Sequence, residues 1–190
     1  FARTGGDIGD NQSWRLGVYT LRSDANNRKS NENAVTFVGE SNLYATDFRY
    51  TLAPTGNARD KELIFQAEFM YRDDDGTYND TNAGTGTLNY DESSFGWYAQ
   101  AIYKFAPAWR VGARYSRLHA ASTPAGFAGS VLDSQGHDPK TYSVMGDWTN
   151  SEFGRFRLQY NRESLDNGKA DNQFILQYIM SFGAHGAHPY

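Results

Sequence analysis

Gln173-Phe174-Ile175-Leu176-Gln177-Tyr178-Ile179-Met180-Ser181-Phe182 is the stretch that decides the fold. Phe174, Leu176, Tyr178, Met180 and Phe182 share one parity, while Gln173, Ile175, Gln177, Ile179 and Ser181 take the other. A period of two places successive side chains on opposite faces of an extended strand. One face of this segment is therefore continuously apolar and the other mixed.

Seven further windows upstream repeat the pattern. Trp14, Leu16 and Val18 oppose Arg15, Gly17 and Tyr19. Tyr44, Thr46, Phe48, Tyr50 and Leu52 oppose Ala45, Asp47, Arg49 and Thr51. Leu63, Phe65, Ala67, Phe69 and Tyr71 alternate with Ile64, Gln66, Glu68, Met70 and Arg72. The remaining windows centre on Phe95 to Phe105, Trp109 to Ser116, Tyr142 to Thr149 and Phe156 to Asn161. Most of the eight approach the roughly 9–11 residues that a tilted transmembrane strand needs. The segments 53–61, 106–108 and 150–154 are short, whereas 23–41, 73–94, 119–140 and 164–172 are longer and polar. That alternation predicts an all-β, antiparallel up-and-down transmembrane β-barrel with about eight strands, tight turns on one side and extended loops on the other. Both ends of the chain then fall on the tight-turn side.

Composition fits this and excludes other classes. The chain has 190 residues, 39% of them hydrophobic, and a strongly negative mean hydropathy. No run reaches the roughly 18 apolar residues of a membrane helix. Aromatics make up 15% of the chain, and they fall at strand ends. Trp14, Phe105, Trp109, Trp148 and Phe156 mark one side and Tyr71, Phe95, Tyr115, Tyr142 and Phe174 the other, as membrane interfaces favour. A soluble β-sandwich would alternate as well, but would not sort its aromatics into two rows. There is no cysteine, hence no disulfide framework and no thiolate metal site. The net charge of −4 argues against nucleic acid as a partner. Phe1 opens directly into a Gly-rich segment, which reads as a mature chain or as an inter-strand turn within a longer wall.

The terminal alternation, with Phe174, Tyr178, Met180 and Phe182, resembles the C-terminal signal that directs insertion of bacterial outer-membrane proteins. Tyr190 is aromatic and in phase with it, although 183–190 also reads as a periplasmic tail. The stretch from Thr36 to Arg72, with Phe37-Val38-Gly39-Glu40, Asp47-Phe48-Arg49-Tyr50, Pro54-Thr55-Gly56-Asn57 and Gln66-Ala67-Glu68-Phe69, is similar to the C-terminal half of porin-like barrels of Gram-negative bacteria. The resemblance implies residence in the outer membrane, contact with its lipid and lipopolysaccharide, and assembly by the barrel-assembly machinery. It also implies passage of small solutes, anionic or metal-bearing. A closed eight-stranded barrel with a structural, adhesive or accessory role is the second reading.

The candidate lumen lining is charged. Arg15, Arg49, Arg72, Lys104, Arg110, Arg114 and Arg157 outnumber Asp47, Glu68 and Asp147. In a wide barrel this wall favours anions; in a narrow one it becomes an internal ion-pair network. His185 and His188 offer two imidazoles to a divalent metal at the tail, short of a full tetrahedral set. Asp73-Asp74-Asp75-Gly76, with Asn79 and Asp80, carries oxygen ligands but lacks the spacing of a calcium loop, and reads more simply as a solvated loop. No arrangement of nucleophile, base or paired carboxylates points to an enzyme, and no resident cofactor is expected.

Overall fold

The computed structural model describes residues 1–151, 153–166 and 168–181. Nine strands follow one another in a single antiparallel sheet ordered β1 to β9. They are β1 (Ala2–Ile8), β2 (Gln12–Ser30), β3 (Val35–Leu52), β4 (Glu62–Asp80), β5 (Thr87–Ala106), β6 (Trp109–His119), β7 (Lys140–Ser151), β8 (Gly154–Asp166) and β9 (Lys169–Met180). Every strand pairs only with its chain neighbours, so the all-β, up-and-down reading holds. No helix among the described residues is long and apolar enough to cross a membrane.

Three features differ from the sequence expectation. β1 is a ninth strand that no alternation announced, because Ala-Arg-Thr-Gly-Gly-Asp-Ile has no apolar stripe. It pairs Ala2 with Val18 through Ile8 with Gln12. The strand of the first predicted window is thereby occupied on both sides, by β1 and β3, and does not meet the last strand. The described sheet is open, with β1 and β9 as its two edges. An odd strand number also sends Ala2 and Met180 to opposite ends of the sheet, so the two ends do not share a side.

The second difference lies in the segments 23–41 and 73–94, expected as loops. They are mostly strand. β2 and β3 stay paired out to Ser30 and Val35, with a one-residue register shift between Ala25 and Arg28, and β4 and β5 stay in register out to Asn79 and Thr87. The 31–34 turn is tight, with Asn31, Glu32 and Asn33 at φ 49°, 55° and 72° and an Ala34 N–H to Asn31 C=O bond of 3.0 Å. Polar strands such as Tyr-Arg-Asp-Asp-Asp-Gly-Thr-Tyr have little intrinsic β preference; the ladder to a long partner holds them extended. Gly39 and Gly76 face each other in this region, and a Cβ on either would run into the other strand's backbone. The third difference is the 164–172 segment, of which 164–166 belong to β8 and 169–172 to β9. Only 120–139 remains a long loop.

That loop folds back over the extended strands. Phe127 is fully buried with Val35, Phe37, Tyr78 and Tyr90, and Leu88 and Leu132 pack beside them. The rings form a chain, Phe37 to Tyr78 at 4.6 Å, Tyr78 to Tyr90 at 4.7 Å and Tyr90 to Phe127 at 6.0 Å. This is the one apolar core among the described residues, and it sits at the end of the sheet away from the short turns.

Candidate functional site

Strand register assigns each side chain to a face. On one face, Trp14, Tyr50, Phe65 and Ala101 lie in matched rows, as do Leu16, Phe48, Ala67 and Ala99. Nothing covers these side chains: Phe174 is 77% exposed, Leu176 76% and Leu158 60%. Phe174, Tyr178 and Met180 of the expected insertion signal all lie on this face. Its lower edge is ringed by Trp109, Trp148, Phe156 and Tyr178, spaced 6.2, 5.8 and 4.4 Å from ring to ring. Higher up, Tyr44 meets Tyr71 at 6.4 Å, and Tyr115 meets Tyr142 at 4.8 Å. Between Phe95 and Phe105 run ten residues of β5. At roughly 3.3 Å per residue they span ~33 Å of strand.

The opposite face carries the charge. Arg15, Asp47, Arg49, Glu68, Arg72, Lys104, Arg110, Arg114, Asp147 and Arg157, all expected to share one face, do so by register. They form two clusters. In the first, Asp47 accepts the Tyr19 hydroxyl at 2.5 Å and draws Arg3 to 3.7 Å and Arg15 to 4.0 Å. Arg3 also donates to the Tyr19 hydroxyl. Gly17, opposite Asp47, makes room for this: a Cβ there would collide with the Asp47 carboxylate and the Tyr19 hydroxyl. Glu68 follows Asp47 in the same row, then Tyr98, and the Arg114 guanidinium lies 3.9 Å over the Tyr98 ring.

The second cluster surrounds Asp147, whose side chain is 0% exposed. Arg157 grips it with both fork nitrogens, Nε to Oδ1 at 2.7 Å and Nη2 to Oδ2 at 3.0 Å. Arg110 Nη2 reaches Oδ2 at 2.8 Å, and Arg155 Nη1 stands 4.0 Å from it. One carboxylate thus holds three guanidiniums. Arg72 is taken up by Asp74 at 2.7 Å. Among the described residues, Arg49, Lys104 and Arg114 have no carboxylate within 4 Å. Three recesses of about 410, 400 and 380 Å³ open along this face. The largest is lined by Gln100, Arg114, Ser143, Gln159 and Asn161, a surface of amides and hydroxyls with cationic walls.

Sequence reasoning placed Tyr19 on this face with Arg15 and Gly17 but missed Arg3 and Arg155 as members of it. Arg155 was one residue outside its window and continues the alternation of Arg157 and Gln159; Arg3 belongs to the unannounced strand. The acidic run resolves differently from a cation loop. Asp74 is claimed by Arg72, and Asp80, 1% exposed, accepts the N–H groups of Asn82, Ala83 and Val131 at 3.0, 3.1 and 3.3 Å. Asp80 is therefore a turn cap and an anchor for the folded-back loop. His119 stacks on Phe95 at 4.2 Å with Nδ1 2.9 Å from Asp138. Phe182, His185, His188 and Tyr190 lie outside the described residues.

Comparison with known proteins is sparse. No family model matches the chain, and no solved structure matches it. An uncharacterized protein of Aquifex aeolicus (strain VF5) is 29% identical over 198 residues, an alignment covering 100% of this chain and 40% of that protein. The chain thus spans less than half the length of this relative.

Proposed function

We propose that the chain forms part of the wall of a bacterial outer-membrane β-barrel that passes small anionic or metal-bearing solutes, and that it is not an enzyme. The observation that carries this reading is the inversion of the sheet: its apolar face is bare and its charges are sheltered. Leu16, Val18, Phe48, Leu158, Phe174 and Leu176 on that face are all more than a third exposed. Burying such a side chain is worth roughly 1.5–3 kcal/mol, so leaving the face uncovered in water costs a stabilisation comparable with the roughly 5–15 kcal/mol by which domains are stable. A lipid surface removes that cost, and no second protein layer among the described residues does so. Tilted by about 40° as the strands of membrane barrels are, the strand from Phe95 to Phe105 would rise ~25 Å, the height of their apolar band.

Under this reading the free edges of β1 and β9 are met by further strands of the barrel, because an open ladder in lipid costs several kcal/mol per unsatisfied backbone group. The match to 40% of a longer relative supports a wall larger than nine strands. The long hairpins and the 120–139 loop face outward toward lipopolysaccharide, the short turns face the periplasm, and β9 is the strand that the assembly machinery receives. Arg49, Lys104 and Arg114, unneutralised by any described carboxylate, bias the lumen toward anions.

Reconstitution of the complete barrel that carries this wall in planar bilayers under a potassium chloride gradient tests this. Open channels with a reversal potential on the chloride side are expected, and Arg49→Gln combined with Arg114→Gln should move it toward zero. Absence of current, or a cation-selective current, would overturn the proposal.

A further inference from the structure

We propose that the recess between Lys104, Arg110 and Arg155, at the short-turn end of the charged face, binds a phosphoryl or sulfuryl oxyanion. The recess holds about 400 Å³ and is also lined by Thr149, Ser151 and Ser181. Arg110 and Arg155, two members of the Asp147 cluster, form part of its lining. One buried carboxylate there faces Arg110, Arg155 and Arg157, so the cluster alone carries a surplus of two positive charges. Lys104 adds a third at the rim, where its ammonium donates to the Ala58 carbonyl at 3.2 Å, and Glu62 is the single carboxylate of the lining among the described residues.

Arg157 spends both fork nitrogens on Asp147, which leaves Arg155 as the loosest member. Its Nη1 is at the 4.0 Å limit of an ion pair, and its Nε is buried with no hydrogen-bond partner. Guanidiniums packed this closely repel unless an anion sits among them, and an unmade hydrogen bond on a charged group is costly.

The class of anion follows from the directions of the donors. They come from four neighbouring strands, β5 through β8, and from Ser181 just past β9, and so are spread across the recess rather than lined up along one strand. Planar guanidinium forks and hydroxyls want acceptor oxygens spread in space. A tetrahedral oxyanion presents them; chloride has no directional acceptors, and a carboxylate offers two oxygens in one plane. The recess also has room for a small organic group attached to a phosphoryl head.

Binding at this recess depends on the charged face but not on conduction. It is tested by isothermal titration calorimetry of the refolded protein in detergent with inorganic phosphate at constant ionic strength, circular dichroism confirming the sheet in each variant. Saturable binding is expected, displaced by sulfate and not by equal chloride. Arg155→Gln should weaken it about tenfold, the scale of one charge-assisted hydrogen bond, and Lys104→Gln should weaken it comparably. If Arg155→Gln does not fold, Lys104→Gln carries the comparison. Arg162→Gln removes the same charge from the opposite parity of β8 and should leave affinity unchanged. No saturable binding, equal displacement by chloride, or an equal loss in Arg162→Gln would overturn the site. Binding without bilayer current would contradict the channel and leave the recess standing; current without binding would do the reverse.

Discussion

Asp147 is enclosed by three guanidiniums, and its burial makes it the costliest single charge to remove. Taking away one partner of a buried ion pair leaves the others uncompensated, typically at about 3–5 kcal/mol. Asp147→Ala is therefore expected to lower stability by about that much, read from the urea midpoint of the refolded protein by tryptophan fluorescence. Trp109 and Trp148 report it, since both stand on strands of the cluster, β6 and β7, on the apolar face. A shift below about 1 kcal/mol would mean that the cluster is solvated. This cluster was half legible in the sequence: Arg110, Asp147 and Arg157 share a parity that alternation predicts, whereas their convergence on one carboxylate depends on a register that only strand pairing sets. Arg155 was lost at a window boundary, where the apolar signal began one residue later.

At the scale of elements, the folded-back 120–139 loop is the part that sequence could not foretell. Phe127 stands alone in Pro-Ala-Gly-Phe-Ala-Gly-Ser with no periodic partner; its neighbours Phe37, Tyr78 and Tyr90 come from three distant strands. The loop is held by carboxylates as well as rings. Asp133 is held below the usual carboxylate range by the Gly129 N–H first, then by the Gln135 N–H and the Thr123 hydroxyl. Asp138 is held below it chiefly by its hydrogen bond from Arg117, aided by the Ala120 N–H and His119.

A carboxyl whose folded pKa is depressed stabilises the fold fully above its unfolded value, about 3.9, and loses that contribution as pH falls through the folded value. Hydrogen exchange at the Gly129, Gln135 and Ala120 amides, corrected for intrinsic rates, should therefore show constant protection from neutral pH to about pH 4 and a loss below it. Protection that falls already between pH 7 and 5 would assign the latch to histidine instead. The long hairpins were misjudged for a related reason. Their polar residues carry no apolar stripe, and a strand extended into water is held by its ladder rather than by burial.

At the scale of the whole molecule, the alternation of β9 set the face of every strand. The rows of Phe65 with Tyr50 and of Phe156 with Tyr178 follow from parity once antiparallel neighbours are assumed. What parity could not supply was the count of strands or the openness of the sheet, because Ala2–Ile8 pairs through its backbone and offers almost no apolar side chain. In the proposed membrane setting the bare face meets lipid while the charged face meets water.

The chain has no cysteine, so single cysteines can be introduced and spin-labelled along 156–161 and 173–180. Accessibility to oxygen and to a nickel chelate, measured in liposomes by electron paramagnetic resonance, should alternate with a period of two. Labels at Leu158, Leu176 and Tyr178 should be open to oxygen and closed to nickel, and those at Gln159 and Gln177 the opposite. Absence of that alternation, or nickel access at Leu158 and Leu176, would contradict it.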